Sequence, residues 1–163
     1  MNARCELDFD APLSLVLEVL EDFERYPELL PDFVSARVLA REPKAFEVAF
    51  SLRVVRVLSY TLRLVEEPID DGGVVLRWTL VEGAFRTNDG RWTLRPTRGG
   101  QSTHAVYEIA LRPGMFIPRT LENSLVRHTL PAMLSAVKKR AEELALAAVT
   151  SGPSHAGSGP ADA

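Results

Sequence analysis

Two periodicities divide the chain. Over its last quarter, Ile117, Leu121, Leu125, Val126, Leu130, Met133, Leu134, Val137, Ala141, Leu144 and Ala148 recur at helical spacing. Arg119, Glu122, Arg127, Lys138, Lys139, Glu142 and Glu143 fall largely on the other side. That spacing predicts one long amphipathic helix over Ile117–Val149 whose apolar face must be buried. Pro131 lies inside the pattern; it removes the hydrogen bond to the Arg127 carbonyl and predicts a kink.

Upstream the period is two. Cys5, Leu7 and Phe9 alternate with charged residues and predict a first strand. Asp10 is placed to cap a helix starting near Pro12, with Leu13, Val16, Leu17, Leu20 and Phe23 as its buried stripe. Pro27 and Pro31 then predict a kink and a second short helix. From Val34 to Leu111, six apolar–polar alternating runs predict an antiparallel meander, with hairpin signals at Asp71-Gly72 and Asn88-Asp89-Gly90 and a bend at Gly83. The order strand, two helices, six strands, long helix is that of an α+β fold with helices on one side of the sheet. The sheet has to curve, because its single apolar face must cover the helix.

Composition narrows the function. The chain has 163 residues, 46% hydrophobic and 25% charged, with a net charge of −3. It reads as one domain over 1–149, followed by a disordered tail over 150–163 that has no bulky apolar residue. A mildly acidic protein lacks the basic field that nucleic-acid binding needs. No apolar run approaches the roughly 20 residues of a membrane span, and the first residues contain no signal-peptide core, so the expected location is cytoplasmic. Cys5, the single cysteine, reads as buried and inert. His104, His128 and His155 fall in three different settings, so no metal set is expected; no cofactor motif and no catalytic signature is found.

Three blocks carry a family resemblance. They are Asp10-Ala11-Pro12 with Val19 through Pro31; Trp78, Glu82-Gly83-Ala84-Phe85, Gly90-Arg91-Trp92 and Pro96; and Tyr107, Pro113-Gly114, Pro118, Leu130-Pro131, Leu134, Lys138 and Arg140-Ala141-Glu142. Over about residues 3–146 the chain resembles the START/Bet v 1-like (SRPBCC) superfamily, in its branch of polyketide cyclases/dehydrases, lipid-transport and coenzyme Q-binding proteins. The resemblance implies a helix-grip fold: a curved seven-stranded antiparallel sheet wrapped around a long C-terminal helix, with two short helices after the first strand. It also implies a cavity between sheet and helix for a lipid, isoprenoid quinone, polyketide or steroid-like molecule.

The period-two reading supplies a lining for such a cavity. Phe46, Phe50, Tyr60, Trp78, Phe85, Trp92 and Tyr107 share the inner face, opposite Leu121, Leu125 and, at the edge of the helical stripe, His128. These aromatics either fill a core or line a pocket. Orienting polar groups would come from Tyr60, Tyr107, Trp78, Trp92, Asn123 and His128. Met115, Phe116 and Ile117 form a ligand gate, a tip making transient membrane contact, or a packed connector. The outer face carries Arg37, Glu47, Arg53, Arg63, Arg77, Arg91, Arg95 and Glu108. That row is either an anion site or a solvated face of cross-strand ion pairs. The leading expectation is a binding or carrier protein for a hydrophobic small molecule, without a cofactor. The alternatives are an aromatase/cyclase or dehydratase using the same pocket, and a regulatory module that binds a macromolecular partner.

Overall fold

A computed structural model describes residues 1–115 and 117–150. Phe116 and nearly all of the expected tail lie outside the described residues. Seven strands form one antiparallel sheet in the order β1-β7-β6-β5-β4-β3-β2. They are β1 (Asn2–Phe9), β2 (Phe33–Glu42), β3 (Ala45–Arg53), β4 (Val57–Pro68), β5 (Val74–Gly83), β6 (Phe85–Thr97) and β7 (Ser102–Pro113). Helices α1 (Leu13–Glu21) and α2 (Tyr26–Leu29), joined by a 3₁₀ turn at Phe23–Arg25, follow β1. The C-terminal helix crosses the concave face as α3 (Arg119–Ser124), a π turn (Leu125–Thr129) and α4 (Leu130–Thr150). This is the expected helix-grip architecture.

The sheet curves through local irregularities. Register shifts interrupt β2–β3 twice and β4–β5 and β6–β7 once each, and each extra residue bends its strand. In β2 the shifts turn Val34 and Leu39 outward, so that strand alternates less cleanly than its sequence. At Gly83, φ is +126° and an added Cβ would fall 2.4 Å from the Tyr60 backbone, so only glycine fits this corner.

Several expectations need correction. Asn88-Asp89-Gly90 is not a turn: it lies inside β6, and the β5–β6 corner is at Gly83–Ala84. Gly90 is there because the Trp78 ring packs across it; an added Cβ would lie 2.3 Å from that ring. Asp89 takes a strand role as well, its Oδ1 accepting the Leu80 amide at 3.0 Å where the β5–β6 ladder ends. Asp10 caps nothing. It sits two residues upstream of Pro12, whose carbonyl starts the helix by accepting the Leu15 and Val16 amides. Cys5 is half-buried on the edge strand rather than enclosed.

The predicted kink takes a definite form. Pro131 has no N–H, so the α-helical ladder cannot run through it. The Leu130 amide bonds the Leu125 carbonyl, five residues back, and closes a π turn. One residue is thereby added to the inward phase. Leu121, Leu125 and Thr129 face inward before it; Leu130, Leu134, Val137 and Ala141 face inward after it.

Candidate functional site

Between the concave face and this broken helix lies an apolar cavity of about 100 Å³. The sheet contributes Phe50, Leu52, Tyr60, Leu62, Leu64, Leu76, Trp78, Phe85, Asn88, Trp92, Tyr107, Ile109 and Leu111. Tyr26 and Phe33 close the α2–β2 corner, and Leu125, Thr129, Leu130 and Met133 form the helix wall. Among the lining residues only Tyr26, Phe33 and Met133 are half-buried rather than buried, which marks the gap between that corner and the helix as the mouth.

The walls are built from stacked rings. Tyr107 packs against Trp92 at 4.9 Å and Trp78 at 5.6 Å between ring centres. Tyr60 bridges Phe50 at 5.6 Å and Phe85 at 5.3 Å. Tyr26 stacks on Phe50 and meets Phe33 edge-on, and its hydroxyl donates to the Leu20 carbonyl. Offset and edge-to-face pairs of this kind fix ring orientation beyond what burial alone does.

Buried hydroxyl and amide groups on Tyr60, Asn88, Tyr107 and Thr129 break the apolar surface, beside the Tyr26 hydroxyl and the indole N–H groups of Trp78 and Trp92. Burial drives the pKa of the Tyr60 and Tyr107 hydroxyls above the ordinary phenol value. Both therefore stay neutral and act as hydrogen-bonding groups. No lining residue carries a carboxylate, an imidazole or an amine. The site can hold, orient and shape an apolar molecule; it has no strong general base of its own.

The structure brings Phe50, Tyr60, Trp78, Phe85, Trp92, Tyr107 and Leu125 together around the cavity, as the inner-face reading expected. Phe46 is buried but off the cavity, against Phe23 at 5.2 Å and beneath the Arg41 guanidinium. Leu121 is buried but not on the cavity wall, Met115 is 77% exposed, and Phe116 is outside the described residues. His128 and Asn123 are exposed, because the π turn directs Thr129 and Leu130 inward instead. Tyr26, Phe33, Asn88, Thr129 and Met133 line the cavity but were absent from the expected set. Asn88 shares the parity of Trp92, a signal obscured by reading it as a turn. Thr129 stands four residues after Leu125, a position its polarity disguised.

On the convex face three arginines of the row are paired. Arg91 meets Glu108 at 2.6 Å, Arg63 meets Glu42 at 3.4 Å and Arg77 approaches Glu67 at 3.8 Å. The Arg91 hydrogen bond holds the Glu108 carboxyl below its usual range. These are exposed cross-strand pairs, the solvated-face alternative. At the end of α1, burial and then the neighbouring Glu66 carboxyl push Glu21 up to about 8, with Arg41 opposing. One Glu21 carboxyl oxygen is buried without a partner among the described residues. Among the described residues, no helix is long and apolar enough to cross a membrane.

Comparison with known proteins is consistent with this geometry. A family model described as "Polyketide cyclase / dehydrase and lipid transport" matches residues 9–138. A curated Streptomyces cyaneus protein, whose name assigns it provisionally to the polyketide cyclases, is 24% identical over 140 residues, covering 85% of this chain and 92% of the relative. Among solved structures, a STAR-related lipid transfer protein fragment from Xanthomonas axonopodis superposes with a TM-score of 0.74 at 20% identity, covering 85% of this chain and 84% of its own. An aromatase/cyclase from Streptomyces sp. R1128 gives 0.72 at 17% identity, covering 94% of this chain and 99% of its own. At these identities the structural likeness shows the fold.

Proposed function

Because the chain belongs to the polyketide cyclase/dehydrase and lipid transport family, we propose that it is a binding or carrier protein for a hydrophobic small molecule, held between the sheet and the C-terminal helix. The observation that carries this reading is the cavity itself: ringed by aromatics, with neutral polar groups and no carboxylate, imidazole or amine. Ligand pockets have that composition. Its volume of about 100 Å³ is below the roughly 300–1,000 Å³ of pockets that hold drug-sized ligands. Uptake therefore requires the wall to move. The parts suited to moving are the π turn, where the helical ladder is already broken, and Met133, an unbranched side chain at the mouth.

Met115 and the half-buried Ile117 stand in the loop after β7, at the end of the sheet that carries the mouth. We assign loading from a bilayer to this end.

Native mass spectrometry of the purified protein, followed by organic extraction and incubation with a fatty acid or a benzoquinone, tests the carrier reading. Copurified or incorporated ligand is the expected result. A protein that arrives empty and takes up neither probe contradicts the reading.

A cyclase or dehydratase is the second reading, favoured by the family match and by a buried Tyr107 on the cavity wall, its ring packed between Trp78 and Trp92. Its mark would be Tyr107→Phe retaining binding of a reactive poly-ketone chain while losing turnover. Equal turnover in the variant would remove Tyr107 from the chemistry.

A further inference from the structure

The hydrogen bond between Trp78 and Asn88 fixes what the cavity can recognise. Trp78 Nε1 lies 3.2 Å from Asn88 Oδ1, and both residues are buried. An indole nitrogen only donates, so the Asn88 oxygen must face it and the amide cannot be turned round without losing the bond. The Asn88 NH₂ group is therefore presented as a donor on the cavity wall, with no protein acceptor of its own among the described residues. Tyr60, Tyr107 and Thr129 differ in kind: their hydroxyls rotate and either donate or accept. Among these amide and hydroxyl groups, only Asn88 has a fixed sense.

Trp78 is itself held in place. It pairs with Gly90 across β5–β6, its ring lies where a Cβ at Gly90 would project, and it packs on Tyr107 at 5.6 Å. The donor is thus anchored by the sheet.

We propose that Asn88 is a specificity-determining residue, oriented by Trp78, which selects flat apolar ligands carrying a carbonyl oxygen over those that present a hydrocarbon edge or an N–H at that point. This deepens the binding reading above and rests on it. A buried donor left unpaired by the wrong ligand loses its water partners without replacement, and that cost generates the selection.

Three bicyclic probes of one frame test it by equilibrium dialysis: indan-1-one offers an acceptor, indane offers neither group, and indole offers a donor. The wild-type chain should bind indan-1-one at least tenfold more tightly than indane and at least fivefold more tightly than indole. In Asn88→Leu the preference over indane should fall to within about twofold. In Trp78→Phe the amide is released to turn, and indole should gain on indan-1-one by several-fold. Equal affinity for the three probes in the wild type would overturn the Asn88 assignment while leaving the cavity as a binding site. An undiminished ketone preference in folded Asn88→Leu would overturn it as well. Failure of all three to bind would remove the binding reading and this inference with it. The wild-type comparison stands whether or not either variant folds.

Discussion

The two ends of the concave face are made from the same alternating strands, yet one is solid and the other hollow. At the end covered by α1, the Thr103 hydroxyl bonds the Ala11 carbonyl at 2.8 Å, Lys138 reaches the Asp8 carbonyl at 2.8 Å, and Phe9, Val16, Leu94 and Ala105 are sealed from solvent. At the other end, the helix is interrupted by a π turn, the rings of Tyr60, Trp78 and Tyr107 stand around a void, and the corner at Tyr26 and Phe33 remains half-buried. What differs is the element laid across the strands. A regular helix with Ala141 and Val137 inward packs close; a helix whose ladder is broken before Pro131 stands off. The pattern in the strands says which face is inside. The helix decides whether that inside is full.

The largest effect should come from breaking the solid end. Phe9→Ala removes a fully buried ring that packs edge-on against Trp92 at 6.5 Å, and should cost about 3–5 kcal/mol in urea denaturation. Phe85→Ala on the cavity wall should cost about half of that, since a wall residue already lacks contacts on one side. Equal losses would mean that the two ends are packed alike.

The pH response of the α1 contact should come next. Folding raises the Glu21 pKa from 4.5 to about 8, so the native state favours the protonated carboxyl. Its contribution is full below the unfolded value and is lost as pH rises through about 8. Stability measured from pH 5 to pH 9 should therefore decline more steeply in the wild type than in Glu21→Gln. Parallel curves would exclude Glu21 as the source.

Pro131→Ala restores an amide and should let an α-helical ladder run through the π turn. An increase in stability of about 1 kcal/mol is expected, together with reduced uptake of a quinone probe. Tyr26→Phe removes the bond to the Leu20 carbonyl at the mouth corner and should cost about 1 kcal/mol by thermal denaturation. Smallest of all, Met115→Asp at an exposed site should change stability by less than about 0.5 kcal/mol. It should nonetheless reduce cosedimentation with anionic vesicles, because Arg53, Arg86, Arg112 and Arg119 surround the same end.

Much of the fold was legible because burial writes itself as periodicity. The alternation of Phe46, Val48, Phe50 and Leu52 could only be one buried face of a strand, and Pro131 had to disturb the helix. The site was less legible for two physical reasons. Asn-Asp-Gly is favourable in a turn, yet here Gly90 makes room for a ring two strand residues from Trp92, so local propensity and tertiary packing disagreed. A π turn also changes which residues face inward by one position. The helical stripe read from regular spacing therefore favoured His128 and passed over Thr129.

The pairing of β1 with β7 has a consequence in time. Strands β3 to β7 each pair with the strand made just before them, but β1 bonds only the last strand, and the Met1 amino group reaches the Leu111 carbonyl across 110 residues. During synthesis at roughly 5–20 residues per second, the first strand waits on the order of 5–20 s for its partner to be made. Until then β7, the neighbour it needs, does not exist, and its alternating Arg4, Glu6 and Asp8 keep one face soluble. The opening residues of the chain are thus the last to take their place in the sheet.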